Sequence, residues 1–165
     1  MSRRLELATG YKLYDPDYRF AAENYQMMNY GYGGTISLHM DATKDISDSG
    51  IGKKLLYITP TNIFKIAGGG RLTTAMLYLS DVESGGFTIF PKLGLYIVPE
   101  AGSLLFWSVR RSNGDTDSRM HHLGCPVLYG DKWIGNKWIR WEAQMNKFKC
   151  LLHKGINFPP NSLIK

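Results

Sequence analysis

The chain has 165 residues, 44% of them hydrophobic and 21% charged, with a formal net charge of +6; that length supports one hydrophobic core, and that composition excludes a disordered chain and a coiled coil. No apolar run approaches the roughly eighteen residues of a membrane-crossing helix, Leu104-Leu105-Phe106-Trp107 being strand-sized. Residues 131–165 hold seven Lys/Arg against two Asp/Glu, and with no nucleic-acid motif beside it this basic end predicts a solvated surface and no nucleic-acid partner.

In chain order, Met1-Ser2-Arg3-Arg4-Leu5-Glu6 begins basic, but no apolar stretch follows, so no secretory signal is read there. A short helix is expected over 3–9, with Ser2 as its N-cap and Gly10 as its stop, and a second over 16–23. From there the chain is punctuated by turn residues, 18 Gly and 7 Pro in all. The runs between them, rich in Ile, Leu, Tyr, Phe and Trp, predict strands at 25–31, 35–41, 71–80, 86–90, 94–98, 103–108, 121–129 and 133–142. Residues 42–70, with Asp45, Asp48, Ser49, Gly50 and Gly68-Gly69-Gly70, read as a long loop, of a length that in compact domains is usually functional or mobile. Eight short strands with turns between them give a mostly β domain, a jelly roll or barrel. The two cysteines, Cys125 and Cys150, cannot make a four-thiolate zinc site and leave either free thiols or one disulfide.

Among the polar groups, His39 and Asp41 are two apart at the end of a predicted strand. Such residues project to one face about 7 Å apart along the backbone, so an imidazole and a carboxylate can converge there. His122, on another predicted strand, would complete a two-histidine, one-carboxylate triad that leaves coordination positions open on iron(II). His-x-Asp alone is equally consistent with a surface strand end. Lys132 follows His122 by ten residues, a spacing at which a hairpin can return a lysine to the same barrel mouth. Facing inward it would need an anion such as the far carboxylate of a dicarboxylic co-substrate; facing outward it is an ordinary turn lysine.

Several ordered blocks carry a resemblance. They are Asn29-Tyr30-Gly31-Tyr32-Gly33-Gly34 leading to His39-x-Asp41, Tyr78-Leu79-Ser80-Asp81-Val82 with Gly85-Gly86-Phe87-Thr88-Ile89-Phe90-Pro91, and Gly102-Ser103-Leu104-Leu105-Phe106-Trp107. A fourth runs from His122-Leu123-Gly124-Cys125-Pro126 through Gly130-Asp131-Lys132-Trp133-Ile134 to Asn136-Lys137-Trp138-Ile139. Together, over roughly residues 3–150, they resemble the catalytic domain of the collagen prolyl 4-hydroxylase alpha subunit, an iron(II)- and 2-oxoglutarate-dependent dioxygenase. The resemblance implies a double-stranded β-helix, the squashed jelly roll, with one or two short N-terminal helices.

It also implies His39, Asp41 and His122 as iron ligands, Lys132 on the distal carboxylate of 2-oxoglutarate, Tyr30 lining that pocket and Trp138 near the substrate. His121 points to the opposite face of its strand and His153 lies beyond the matched blocks, so neither is a ligand. The activity implied is hydroxylation of peptidyl-proline in collagen-like polypeptides, with ascorbate rescuing oxidised iron and protein disulfide isomerase as a second subunit. Two departures stand out: Ile36 occupies a position where the family usually carries a substrate-packing tyrosine, and Leu38 one where it usually carries proline. The family's matching cysteine pair implies a Cys125–Cys150 disulfide, and with it the lumen of the endoplasmic reticulum. On this reading 1–150 is a dioxygenase core without the family's usual N-terminal supporting segment, and 151–165 is a tail. The competing expectation is a non-catalytic module that binds peptide or a partner subunit on a truncated jelly roll.

Overall fold

In the computed structural model, which describes residues 1–14, 21–42, 70–144 and 147, one helix precedes ten strands. The helix α1 is Ser2–Thr9; the strands are β1 Gln26–Tyr30, β2 Ile36–His39, β3 Arg71–Tyr78, β4 Ser84–Gly85, β5 Thr88–Phe90, β6 Leu95–Ile97, β7 Leu104–Ser108, β8 His122–Gly124, β9 Val127–Tyr129 and β10 Lys132–Arg140. All pairings are antiparallel. A major sheet runs β1-β10-β3-β7, a minor sheet β2-β8-β5-β6, and β4 with β9 forms a two-stranded piece. This is the mostly β jelly roll expected from the sequence.

The central strands β3 and β10 are paired on both sides and buried along most of their length, as strands covered on two faces must be. Along β10 the even positions Lys132, Ile134, Asn136 and Trp138 share one face, because successive side chains alternate. That face meets the minor sheet across a core of Met76, Tyr78, Phe90, Trp107, Val109 and Ile134, each large apolar side chain contributing roughly 1.5–3 kcal/mol by its burial. On the opposite face α1 and the segment after it pack Leu5, Tyr11 and Leu13 against Leu72, Ala75 and Ile139.

Gly10 ends α1 as expected, taking a left-handed φ of 73° with its N–H donated to the Glu6 carbonyl, a conformation that costs glycine little. The N-cap is Met1 and not Ser2; the Ser2 hydroxyl donates instead to the Tyr25 hydroxyl at 3.5 Å. The second helix expected at 16–23 lies largely outside the described residues, and at its described end Ala22 bridges Ile139 as extended backbone. The loop expected at 42–70 likewise lies outside them except for its two ends, residues 42 and 70.

The strand expected at 121–129 is two strands that join different partners, β8 the minor sheet and β9 the short β4, on either side of Cys125-Pro126. Proline lacks the N–H that a continuous ladder needs. The hairpin expected before Lys132 is absent too. β9 and β10 belong to different sheets, and the Asp131 carbonyl accepts the Ser80 hydroxyl at 2.7 Å as the chain crosses between them.

Candidate metal centre and co-substrate pocket

The minor sheet brings the two histidines together directly, since His39 at the end of β2 and His122 at the start of β8 are register partners. Their ring centroids are 4.3 Å apart. Asp41 lies two residues beyond β2 rather than within it, yet its carboxylate turns back to the same point. Its Oδ1 is 3.6 Å from His39 Nε2 and its Oδ2 is 3.9 Å from His122 Nε2. One ligand atom from each of the three residues lies within 4.8 Å of the others.

Each imidazole is anchored through its other nitrogen, His39 Nδ1 on the Ser37 carbonyl at 2.8 Å and His122 Nδ1 on the Met120 carbonyl at 3.0 Å. A carbonyl can only accept, so Nδ1 carries the hydrogen and the Nε2 lone pair faces the shared point, the tautomer that a metal requires. Burial lowers the His122 pKa and keeps that ring neutral. Asp41, 6% exposed, is held below the usual carboxylate range: burial works to raise it, but His39, the Thr74 hydroxyl at 2.7 Å and His122 outweigh that. Asp41 in turn raises the His39 pKa, so that ring gives up its Nε2 proton when a metal binds; an ionised carboxylate and two imidazoles with free Nε2 atoms then form a donor set that fits iron(II) with positions left open.

The centre is tied into both sheets. Trp107 of β7 lies edge-on to His122, with centroids 5.0 Å apart, and Thr74 of β3 holds Asp41 from the major sheet. Trp138 is buried, with the Arg71 guanidinium 3.6 Å over its ring. Glu23 binds both Arg71, at 2.8 Å, and Arg140, at 2.9 Å. Trp138 is not among the residues that line the pocket between the histidines and Lys132.

From the two histidines a pocket runs between the sheets to Lys132, lined also by Tyr30, Ile36, Thr88, Trp107 and Asn136. Lys132 is 4% exposed. Its ammonium donates to the Gly86 carbonyl at 2.7 Å and to Thr88 Oγ1 at 3.3 Å, and burial brings its pKa down to about 8. Tyr30 and Tyr78 present their rings to this ammonium at 5.8 and 5.6 Å. Tyr30 Oη donates to Met28 Sδ at 3.4 Å, and Tyr78 Oη donates to Thr88 Oγ1 at 2.8 Å. Among the described residues no carboxylate pairs with Lys132, and a buried cation in that setting calls for an anionic ligand.

Ile36 stands on the wall of the same pocket, partly exposed. Cys125 lines it as well and is bridged to no described residue, while Cys150 lies outside the described residues. His121 is turned away, its Nδ1 on the Ser118 carbonyl at 2.8 Å. Thr74, Thr88, Trp107 and Asn136 were given no site role in the sequence reading. Thr88, Trp107 and Asn136 stand in the blocks that carry the resemblance, but strand alternation places a side chain on the inner face without saying that it faces a ligand.

The family model for the 2OG-Fe(II) oxygenase superfamily matches residues 25–140, a span that holds all ten strands and every residue of the centre. The chain belongs to the 2OG-Fe(II) oxygenase superfamily. Iron(II) and 2-oxoglutarate are the metal and co-substrate for which this family is named. Within the superfamily it is 38% identical over 133 residues to prolyl 4-hydroxylase subunit alpha-1 of Homo sapiens, covering 79% of this chain and 22% of that protein. It is 36% identical over 152 residues to subunit alpha-3 of Rattus norvegicus, covering 91% and 24%. The chain thus spans between a fifth and a quarter of the length of these relatives. Its fold is similar to that of a viral collagen prolyl hydroxylase from Paramecium bursaria Chlorella virus-1, solved as its 2-oxoglutarate complex, with a TM-score of 0.56 and 30% identity over 72% of this chain and 59% of that one.

Proposed function

We propose that this oxygenase hydroxylates peptidyl-proline in collagen-like sequences, using iron(II) bound by His39, Asp41 and His122 and 2-oxoglutarate anchored by Lys132. The observation that carries this reading is a convergent His39-Asp41-His122 cluster whose two histidines share a pocket with a buried ammonium that no described carboxylate pairs. The prolyl hydroxylase relatives support the choice of proline. When bound, iron(II), 2-oxoglutarate and dioxygen together supply an oxidant strong enough for an unactivated C–H bond, with succinate and carbon dioxide as the co-products.

The chain's own residues hold and orient. The Ser37 and Met120 carbonyls fix the two imidazoles, and Thr74 fixes the Asp41 carboxylate. Lys132 neutralises the far carboxylate of the co-substrate, with Thr88 and Tyr30 beside it. Trp107 and Phe90 pack on the His122 ring and Ile134 lines the pocket, and this apolar surround strengthens the charge interactions within it. Ile36 meets the substrate side chain by dispersion, with Trp138 near the substrate position. Ascorbate serves to restore iron oxidised in uncoupled turnovers. A Cys125–Cys150 bridge, residence in the endoplasmic reticulum lumen and pairing with protein disulfide isomerase complete the proposal by analogy with the relatives.

The test is turnover by the full chain with iron(II), 2-oxoglutarate, ascorbate and a proline-rich collagen-like peptide, followed by succinate release and the gain of one oxygen by the peptide. His39→Ala, Asp41→Ala and His122→Ala are each expected to abolish both, since two ligands do not hold an open octahedral site. Turnover that survives these changes contradicts the ligand assignment. Peptide binding by the wild-type chain without any succinate would favour a non-catalytic module instead.

A further inference from the structure

Asn136 has no role in the arrangement so far, yet with Trp107 it is one of two residues lining the pocket that hold a fully buried polar atom without a partner among the described residues. It sits on the inner face of β10 between Ile134 and Trp138, directly across from Met76 of β3, and it lines the pocket. It is 8% exposed, and its Oδ1 is fully buried with no hydrogen-bond partner among the described residues. An amide buried against a thioether and two apolar side chains loses its water without compensation, so leucine or methionine would serve packing better there. A buried polar group that the protein leaves unpaired in a ligand pocket is matched to the ligand.

Resting on the function proposed above, we infer that the Asn136 carboxamide binds the 2-oxo acid head of the co-substrate, the end opposite the one held by Lys132. The order along one strand face carries the assignment: Lys132 lies at one end, Trp138 lies towards the other, across from the Thr74 that holds the Asp41 carboxylate, and Asn136 lies between them on the metal side. A ligand whose far carboxylate rests on Lys132 and whose head reaches the His-Asp-His centre passes Asn136 at its head. The Nδ2 end is not among the fully buried unpaired atoms, so it is the end of the amide open to the pocket, and it donates to a head-group oxygen.

The test is calorimetric binding to the full chain loaded with manganese(II) and kept anaerobic, so that no turnover is involved. The ligands are 2-oxoglutarate and 2-oxopentanoate, which has the same head but no distal carboxylate. Asn136→Leu is expected to weaken both by a similar factor, roughly 10- to 100-fold, with manganese affinity unchanged and melting temperature equal or higher. Lys132→Met is expected to weaken 2-oxoglutarate alone. Asn136→Asp keeps the shape and adds a charge, so it is expected to weaken both ligands further, and it serves as the readout if the leucine variant does not fold. Wild-type affinity in the Asn136 variants, a loss confined to 2-oxoglutarate, or a parallel loss of manganese binding or melting temperature would overturn the inference. Absence of metal-dependent 2-oxoglutarate binding in the wild-type chain would instead overturn the function on which it rests.

Discussion

The Lys132 ammonium is the most costly single group in the pocket, and its cost is informative. Burial without a carboxylate partner destabilises the free chain, whereas the same desolvation strengthens its hold on a dicarboxylate. Lys132→Met is therefore expected to move two quantities in opposite directions. It raises the urea-unfolding stability of the ligand-free chain by about 1–3 kcal/mol, and it weakens 2-oxoglutarate roughly 10- to 150-fold. The proton adds a pH signature. The folded chain loses it near pH 8 and the unfolded chain near 10.5, so between these values the unfolded state binds more protons and ligand-free stability rises with pH. Affinity for 2-oxoglutarate follows the opposite course, level below pH 8 and falling about tenfold per unit above it. A titration of affinity against pH that is as steep in Lys132→Met as in the wild type would remove the ammonium from the binding step. The histidines and Asp41 were legible in the sequence because a metal demands particular residue types. Asn136 and Thr88 were not, since amides and hydroxyls on strands are common and only the fold reveals which of them lack a protein partner.

Among the elements, the short β4–β9 pair illustrates how backbone geometry sets the co-substrate pocket. Gly85 takes φ 79°, and a Cβ there would run into the Pro126 carbonyl oxygen and come within 2.9 Å of the Leu128 nitrogen. The next residue, Gly86, donates its N–H to that same Pro126 carbonyl at 2.9 Å and offers its own carbonyl to Lys132. Gly85→Ala is expected to destabilise the chain by at least about 1–2 kcal/mol and to weaken 2-oxoglutarate with it, because the carbonyl that seats Lys132 must shift. Unchanged unfolding and affinity would show that β4 is free to move away. The eight expected strand regions all contain strands, their alternation and turn punctuation being local signals. Pairing partners are not local: nothing in Tyr129-Gly130-Asp131-Lys132 distinguishes a hairpin from the crossover that the chain makes there. The Ser2 cap failed for a similar reason, a tertiary contact with Tyr25 taking the hydroxyl that local capping would have used.

At the scale of the molecule, the centre joins two sheets that share no strand. His39 and His122 come from the minor sheet, while Thr74, Asn136 and Lys132 come from the major one. A metal and a dicarboxylate bound between them staple the sandwich, and by mass action a ligand at a hundred times its dissociation constant adds about 2.7 kcal/mol, or roughly 5–10 °C in melting temperature for a chain of this size. Manganese(II) and 2-oxoglutarate together are expected to produce that shift in the wild type and to lose it in His122→Ala, as followed by thermal denaturation; a shift that persists in the variant would locate binding elsewhere. The jelly roll itself was legible from strand number and spacing, but the sheet-to-sheet convergence was not, because it depends on register across strands 83 residues apart in sequence, such as His39 and His122. The most direct measurement is an anaerobic titration of the iron(II)-loaded chain with 2-oxoglutarate, followed by the visible charge-transfer absorption of the chelate. One equivalent is expected to develop the band fully in the wild type, with no band in His39→Ala, Asp41→Ala or His122→Ala. Iron(II) that binds without a band on saturation with 2-oxoglutarate, or a band that survives in those variants, would contradict the assignment of this pocket as an iron and 2-oxoglutarate site.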